Sequence, residues 1–208
     1  MGLFKKYVNQ TRKPEGFLGK MMVNGMNGGH AKMADWGMSF LPEIAPREII
    51  DLGCGGGRNA GALLKKYPDT KVTALDYSDV SVEKARAFNA EAVDKGQMTV
   101  TRGDVSALDL PAEKYDLATA FETIYFWPGL ERCFGEVAKI LKPGGLFMIV
   151  NESDGEDETS LKFEKIIDGM KCYTPEVIRK SLESAGFKIL RIEHHGSKPW
   201  ISVIAVKV

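Results

Sequence analysis

The sequence predicts an α/β fold: a doubly wound, mostly parallel seven-stranded sheet with a last antiparallel strand and an N-terminal helical cap. From residue 49 onward, short apolar runs alternate with segments in which apolar residues recur at helical spacing. That alternation is typical of parallel strands covered by helices on both faces. The last two apolar runs are joined by a short connection, which favours antiparallel pairing at the end of the sheet.

Each strand is predicted from an apolar run bounded by turn residues. The strands are predicted at residues 49–53, 71–77, 98–103, 115–121, 146–150, 187–192 and 200–206. Helices are predicted between them at residues 58–67, 79–94, 128–141, 160–167 and 174–186. Pro68 ends the first helix, and Gly96 closes the second. Pro128 suits the first turn of the third helix, and Thr174 followed by Pro175 is typical of a capped helix start.

The N-terminal region has a different composition from the rest of the chain. Residues 1–15 are polar and basic and predict a loose arm, whereas residues 16–41 are rich in methionine and glycine. They predict two short helices broken at Asn27-Gly28-Gly29, packed either over a pocket or simply on the core. We therefore expect an arm and helical cap at residues 1–44 and a ligand-binding domain at residues 45–208.

The composition of the chain disfavours several classes of function. The 28 basic and 28 acidic side chains of this 208-residue chain cancel, which disfavours binding of nucleic acid through its phosphates. Three cysteines without metal-ligand spacing favour a reducing cytoplasm and predict no metal site. No apolar run suits a signal peptide or a membrane span, so we expect a cytoplasmic protein that does not bind membranes.

The most informative feature is the glycine-rich run DLGCGGG at residues 51–57, directly after the first predicted strand. Open α/β sheets bind nucleotide-like ligands at this point, where glycines let a ligand approach bare backbone. Asp51, Asp76 and Asp104 follow the ends of three successive strands, so we expect them to face one crevice. Asp76 lies about 20 residues after the glycines, where a carboxylate meets ribose hydroxyls, and Tyr77 could pack against adenine.

The ligand need not be a nicotinamide cofactor. The third small residue of the dinucleotide fingerprint is replaced by Arg58. Asp51 would repel a pyrophosphate but could help to hold a cationic amino-acid group through water or backbone.

Five ordered segments resemble the class I S-adenosylmethionine-dependent methyltransferases. DLGCGGG at 51–57 resembles the first motif of that family, ALDYS at 74–78 the acidic end of its second strand, and GDV at 103–105 its adenine-recognition loop. YDL at 115–117 and LKPGG at 141–145 resemble its fourth strand and the turn before its fifth. The resemblance covers about residues 45–208 and implies a Rossmann-like methyltransferase fold, with closest similarity to the group that acts mostly on small molecules.

The resemblance implies S-adenosylmethionine as cofactor and S-adenosylhomocysteine as product. Gly53 and Gly55 would border the methionyl part, and Asp76 would bind both ribose hydroxyls. Asp104 would accept from the adenine amino group, and Val105 would supply a backbone amide. The cofactor-binding candidates are Asp51, Gly53, Gly55, Asp76, Tyr77, Asp104, Val105 and Phe121. The alternative for each aspartate is a helix cap or turn residue.

The methyl acceptor is expected over the end of the fourth strand, at residues 121–127. Glu122 could take a proton or pair with a cationic acceptor, and Tyr125 and Trp127 could form an aromatic wall. These three are the catalytic candidates, although Glu122 could be a solvated strand end and Trp127 a core residue. His30 could reach the site or be structural.

The remaining polar clusters favour simpler interpretations. His194 and His195 are interpreted as surface residues, and the acidic run at 152–158 as a solvated loop rather than a metal site. The run FETI at 121–124 lacks the Asn/Asp-Pro-Pro-aromatic signature by which amino methyltransferases of nucleic-acid bases resemble one another. We therefore expect methyl transfer to a small molecule. A methyltransferase of protein or RNA side groups, or a non-catalytic S-adenosylmethionine-binding module, stays an alternative, and the oligomeric state stays open.

Overall fold

A computed structural model of the chain contains one seven-stranded sheet in the order β3-β2-β1-β4-β5-β7-β6. The structure describes residues 8, 9, 12, 14–16, 19 and 30–208. Strand β7 lies between β5 and β6 and is antiparallel to both, while β1 to β5 pair in parallel. This topology confirms the predicted doubly wound fold with a last antiparallel strand.

The observed elements lie close to the predicted ones. The strands are β1 Glu48–Leu52, β2 Lys71–Asp76, β3 Met98–Arg102, β4 Tyr115–Phe121, β5 Leu141–Asn151, β6 Phe187–His194 and β7 Ile201–Lys207. The helices are α1 Ala31–Met38, α2 Arg58–Lys66, α3 Asp79–Phe88, α4 Ala90–Asp94, α5 Leu130–Ile140, α6 Glu158–Glu164 and α7 Pro175–Ser184, with a 3₁₀ turn at Ile124–Phe126.

The predicted single helix over residues 79–94 is instead two helices, which meet at Asn89. The Asn89 side-chain amide donates to the carbonyl oxygen of Gly57 at 2.9 Å and to that of Ala85 at 3.0 Å. Asn89 therefore ties the end of α3 to the glycine-rich loop. That contact joins segments about 30 residues apart, which helical periodicity does not reveal.

Two further boundaries differ from the prediction. Strand β5 begins at Leu141 rather than at residue 146, because its pairing with β4 resumes across an irregularity that contains Gly144 at φ +76°. Helix α5 begins at Leu130 after Gly129, so Pro128 lies before the first turn rather than within it. The capped start at Thr174 is confirmed, since its side chain accepts from the Val177 amide.

The core consists of two apolar clusters, one on each face of the sheet. Ile50 belongs to the cluster beneath α5 and α7, and its neighbour Ile49 belongs to the cluster beneath α1, α2 and α3. Successive strand residues point to opposite faces, so β1 contributes to both clusters and is buried on both sides. This burial holds the carboxyl end of β1 rigidly at the sheet edge.

Helix α1 packs on the core at the edge of the site. A Cβ on Gly37 would lie 2.5 Å from Val150 Cγ2, so only glycine allows this approach of α1 to β5. The predicted break at Asn27-Gly28-Gly29 and the first predicted cap helix lie outside the described residues. No helix in the described part of the chain is long and apolar enough to cross a lipid bilayer.

Candidate functional site

A cavity of about 210 Å³ opens at the carboxyl edge of the sheet, where the loops after β1, β2, β3 and β4 meet. From the first three loops it is lined by Gly53, Gly55, Asp76, Tyr77, Asp104 and Val105. From the fourth it is lined by Phe121, Glu122 and Trp127, and from the N-terminal arm by Arg12 and Pro14. The structure thus brings together the predicted site residues except Asp51 and Tyr125, which do not line this cavity.

The glycine-rich loop requires glycine at two positions for different reasons. Gly53 has φ +72°, and a Cβ there would lie 2.1 Å from Thr123 Oγ1. Gly55 has φ +52°, but a Cβ there would meet no atom of the described residues within 4 Å. Gly53 therefore permits the loop after β1 to touch the loop after β4, whereas Gly55 leaves open space over the bare backbone.

Asp76 fixes the glycine-rich loop and faces the cavity. Its Oδ2 accepts from the Gly55 amide at 2.9 Å, and its Oδ1 accepts from the Ser78 amide at 2.9 Å. Burial raises the pKa of Asp76, and these hydrogen bonds act in the opposite direction. Each oxygen of an ionised carboxylate accepts more than one hydrogen bond, so this side chain can still receive ligand hydroxyls.

Asp51 lies beneath the loop rather than at the cavity surface. It is 1% exposed, and its Oδ1 accepts from the Thr119 hydroxyl at 2.8 Å. Its Oδ2 is buried and has no hydrogen-bond partner among the described residues. Burial raises the pKa of Asp51 to about 7. Asp51 is therefore a supporting residue of the loop that can reach a ligand only through backbone or water.

The loops after β2 and β3 are held by local contacts. The Tyr77 hydroxyl donates to the backbone carbonyl of Arg12, which attaches the N-terminal arm to the cavity rim, and burial raises the pKa of Tyr77 to about 12. Asp104 Oδ1 accepts from the amide and the hydroxyl of Ser106, each at 2.8 Å. Asp104 thus acts as a turn residue and also borders the cavity.

The three catalytic candidates differ in their surroundings. Tyr125 is buried, and its hydroxyl donates to Glu122 Oε1 at 3.0 Å and accepts from the Ser153 amide at 3.1 Å. The Trp127 indole donates to Thr123 Oγ1 at 3.2 Å and lies parallel to the Phe147 ring. Trp127 therefore both lines the cavity and packs on the core, so the two interpretations offered by the sequence coexist.

A second, smaller cavity of about 50 Å³ adjoins the first. Gly53, Gly55, Phe121 and Glu122 line both cavities, so they form the boundary between them. Arg58 lines the smaller cavity, and its guanidinium makes two hydrogen bonds to Asp35, at 2.6 and 2.7 Å. The charge of Arg58 is thus already paired.

Three ionisable side chains converge beside the smaller cavity, which is lined by His30 and Glu122. His30 Nδ1 lies 3.6 Å from Glu122 Oε2 and 3.4 Å from Glu152 Oε2. Burial raises the pKa of Glu122 to about 7, although the charge of His30 acts against that shift. Burial lowers the pKa of His30, but the two carboxylates outweigh it and the net pKa is raised. This group is positioned for proton exchange.

Glu152 is the functional candidate that the sequence does not reveal, because the acidic run at 152–158 predicts a solvated loop. The rest of that loop is satisfied locally: Asp154 accepts from two nearby amides, and Asp157 caps α6. The order of the strands could have indicated the position of Glu152. Glu122 directly follows β4, Glu152 directly follows β5, and these two strands are neighbours in the sheet. His194 is exposed, as expected, whereas His195 is half-buried and packs against Trp36 and Trp200; neither lines the two cavities described above.

Comparison with known proteins identifies the family of the chain. A family model described as a methyltransferase domain matches residues 49–145. The sterol 24-C-methyltransferase of Debaryomyces hansenii is 30% identical over 151 residues, which are 68% of this chain and 40% of that protein. The chain belongs to the class I S-adenosylmethionine-dependent methyltransferases. This confirms the family that the sequence motifs resemble, although the chain spans only about 40% of the length of that relative.

Solved structures with little sequence identity have the same fold. A chain of the complex between the Haloferax volcanii Trm112 methyltransferase activator and a methyltransferase is 20% identical, with a TM-score of 0.82 over 90% of this chain and 93% of that one. Geranyl diphosphate C-methyltransferase from Streptomyces coelicolor, solved with Mg²⁺, geranyl diphosphate and S-adenosyl-L-homocysteine, is 12% identical, with a TM-score of 0.75 over 86% and 77% of the two chains.

Proposed function

We propose that this methyltransferase transfers a methyl group from S-adenosylmethionine to a small-molecule acceptor by in-line displacement, releasing S-adenosylhomocysteine. The observation that carries the proposal is the cavity in which open glycine backbone at Gly55 meets the carboxylates of Asp76 and Asp104. Family membership and the small-molecule acceptors named for the relatives support the same reaction.

The residues present fit the proposed cofactor. The open space over Gly55 and the adjoining small cavity suit the methionyl part, where Asp51 would act from beneath through backbone or water. Asp76 would accept from the ribose hydroxyls while its bonds to Gly55 and Ser78 hold it in place. Asp104 and the Val105 amide would bind the adenine edge, beside Tyr77, with Phe121 between the two cavities.

The bound cofactor would supply an activated methyl group on a sulfonium, so the protein need not create a strong electrophile. The chain's own task is to orient the acceptor and exclude water. Glu122, Tyr125 and Trp127 lie at the end of β4, where the acceptor would enter. Residues 1–44 would act as a cap over the domain at 45–208, since Arg12 and His30 border the two cavities. The cytoplasmic location stays a prediction.

Calorimetry tests the cofactor directly. The purified chain is titrated with S-adenosylmethionine, S-adenosylhomocysteine and NAD in parallel. We expect both adenosyl compounds to bind with one site per chain and NAD to give no heat of binding. Binding of NAD without binding of S-adenosylmethionine would overturn the proposal.

A further inference from the structure

We propose that His30, Glu122 and Glu152 form an acid–base cluster that removes a proton from the methyl acceptor, and that the acceptor is an amine. The inference rests on the proposed methyl transfer and names the substrate class of the same site. Glu122 would be the catalytic residue, and His30 and Glu152 would be positioning residues.

Glu122 stands at the boundary of the two cavities in a constrained geometry. Its backbone has φ +57°, which is rare for a residue with a side chain and is typical of functional positions. The Tyr125 hydroxyl and the Glu152 amide both donate to its Oε1, and its own amide donates to the Val150 carbonyl. These bonds fix Oε1 and leave Oε2 turned toward His30 as the oxygen that can exchange a proton.

His30 lies where two carboxylates from neighbouring strand ends converge. Its Nδ1 is buried and lies 3.6 Å from Glu122 Oε2 and 3.4 Å from Glu152 Oε2. The side chains are 14% exposed for Glu122, 29% for His30 and 39% for Glu152. Exposure thus increases from the boundary of the cavities outward, which provides an exit to solvent for a proton accepted at Glu122.

The charge balance favours a cationic acceptor. In the described part of the chain, the titratable groups that face Glu122 are His30, Glu152 and Tyr125, with Cys172 beyond the tyrosine. One imidazolium can compensate only one of the two carboxylates, and Arg58 is already paired with Asp35. A partly buried carboxylate without a compensating charge is unfavourable, so an ammonium would be attracted here and an anionic acceptor repelled.

An ammonium must lose a proton before its nitrogen can attack. The N–H proton moves to Glu122 Oε2, and the free lone pair of the amine then forms the bond to the methyl carbon while the carbon–sulfur bond breaks. The products are a methylated ammonium, S-adenosylhomocysteine and protonated Glu122, which returns its proton to solvent by way of His30 and Glu152. A base whose pKa burial raises to about 7 is well matched to this task at neutral pH.

The acid–base cluster is tested without knowing the acceptor. Protein labelled with ¹³C at glutamate carboxyls is titrated by NMR with saturating S-adenosylhomocysteine, and Glu122→Gln assigns the resonance. We expect Glu122 to titrate near neutral pH, and His30→Gln to move that midpoint upward because a positive charge is removed. His194→Gln is the matched control and should leave it unchanged. An ordinary carboxyl midpoint, no response to His30→Gln, or a titration that changes with a chelator of divalent cations would overturn the cluster.

The acceptor class is tested with S-adenosylmethionine that carries a radiolabelled methyl group. One reaction contains a mixture of small primary and secondary amines, and the other a size-matched mixture of alcohols and phenols. We expect label only in the amines, at a rate that rises with pH up to about 7. Glu122→Gln should lower that rate by about 100-fold while its affinity for S-adenosylhomocysteine stays within about twofold.

The outcomes separate the two proposals. Label in the hydroxyl compounds, no label in the amines while S-adenosylmethionine is bound, or an undiminished rate in Glu122→Gln would overturn this inference alone. Failure of the chain to bind S-adenosylmethionine at all would overturn the proposed function itself.

Discussion

The two sides of the site are built in different ways. On the side of β1 to β3, the carboxylates of Asp76 and Asp104 are satisfied by amides a few residues away or by the glycine loop. On the side of β4 and β5, Glu122 and Glu152 meet each other and His30, which comes from a distant part of the chain. The first side is a preformed cradle of backbone amides and carboxylates. The second side is a group of titratable side chains that can exchange a proton.

The difference follows from what each side would bind. A cradle of fixed amides and carboxylates suits a ligand with constant polar groups. Titratable groups with raised pKa values suit a step in which a proton moves. Glu122, whose pKa burial raises to about 7, changes its charge near neutral pH. The contact of Gly53 with Thr123 is where the two sides meet.

The largest loss of folding stability should come from disrupting the contact between Gly53 and Thr123. We expect Gly53→Ala to destabilise the fold by roughly 3–4 kcal/mol, because the φ of +72° is strained for alanine and the new methyl group collides with Thr123. Chemical denaturation measures this loss in the free energy of unfolding. Gly55→Ala is the matched control: it should cost only about 1 kcal/mol of folding but fill the space over the loop and weaken S-adenosylmethionine binding. Equal losses of stability in both variants would contradict this distinction.

Next in size is the contribution of the cradle to ligand affinity. We expect Asp76→Ala to weaken S-adenosylmethionine binding by about 1–3 kcal/mol, because it removes an acceptor of ligand hydroxyls and frees the Gly55 amide. Calorimetry measures the change. Asp69→Ala, in an exposed turn, should bind like the unaltered chain. Unchanged affinity in Asp76→Ala would remove this carboxylate from the site.

The buried titratable groups on both sides of the site should make the stability of the fold depend on pH. The pKa values of Glu122, Asp51 and His30 are all raised in the folded state, so their stabilising contributions are complete at low pH and are lost as pH rises through the folded values. The ligand-free protein should therefore become less stable from about pH 4, where these carboxyls ionise in the unfolded chain, to about pH 7, where they ionise in the folded chain. Glu122→Gln should reduce that fall by roughly 1–2 kcal/mol, measured by urea unfolding at each pH. Stability that rises over this range would contradict the raised values.

The smallest effect is expected for Trp127. Trp127→Phe keeps a ring beside Phe147 but removes the hydrogen bond to Thr123, which should cost about 1 kcal/mol. Thr123→Val removes the same bond from the other side. The double variant should cost less than the sum of the two single variants; strict additivity in urea unfolding would show that this bond does not couple them.

Local sequence predicts most of the fold and the side of the site at β1 to β3. Strand β4 lies at its predicted residues, and Thr174 and Pro175 begin α7 as expected. The positions of Asp76 and Asp104 at strand ends follow from the pattern too, because parallel strands present their carboxyl ends at one edge. The division of the helix at Asn89 does not follow, because its cause is a bond to Gly57 in another loop.

Sequence alone determined the alternation of strands and helices, the glycine-rich loop and the carboxylates beside it, because periodicity and backbone freedom are properties of short segments. Only the tertiary structure decided that Asp51 lies beneath the loop and that His30, Glu122 and Glu152 meet. Burial and contacts between distant segments determine which groups are neighbours and what their pKa values are. Both arise only once the chain is folded.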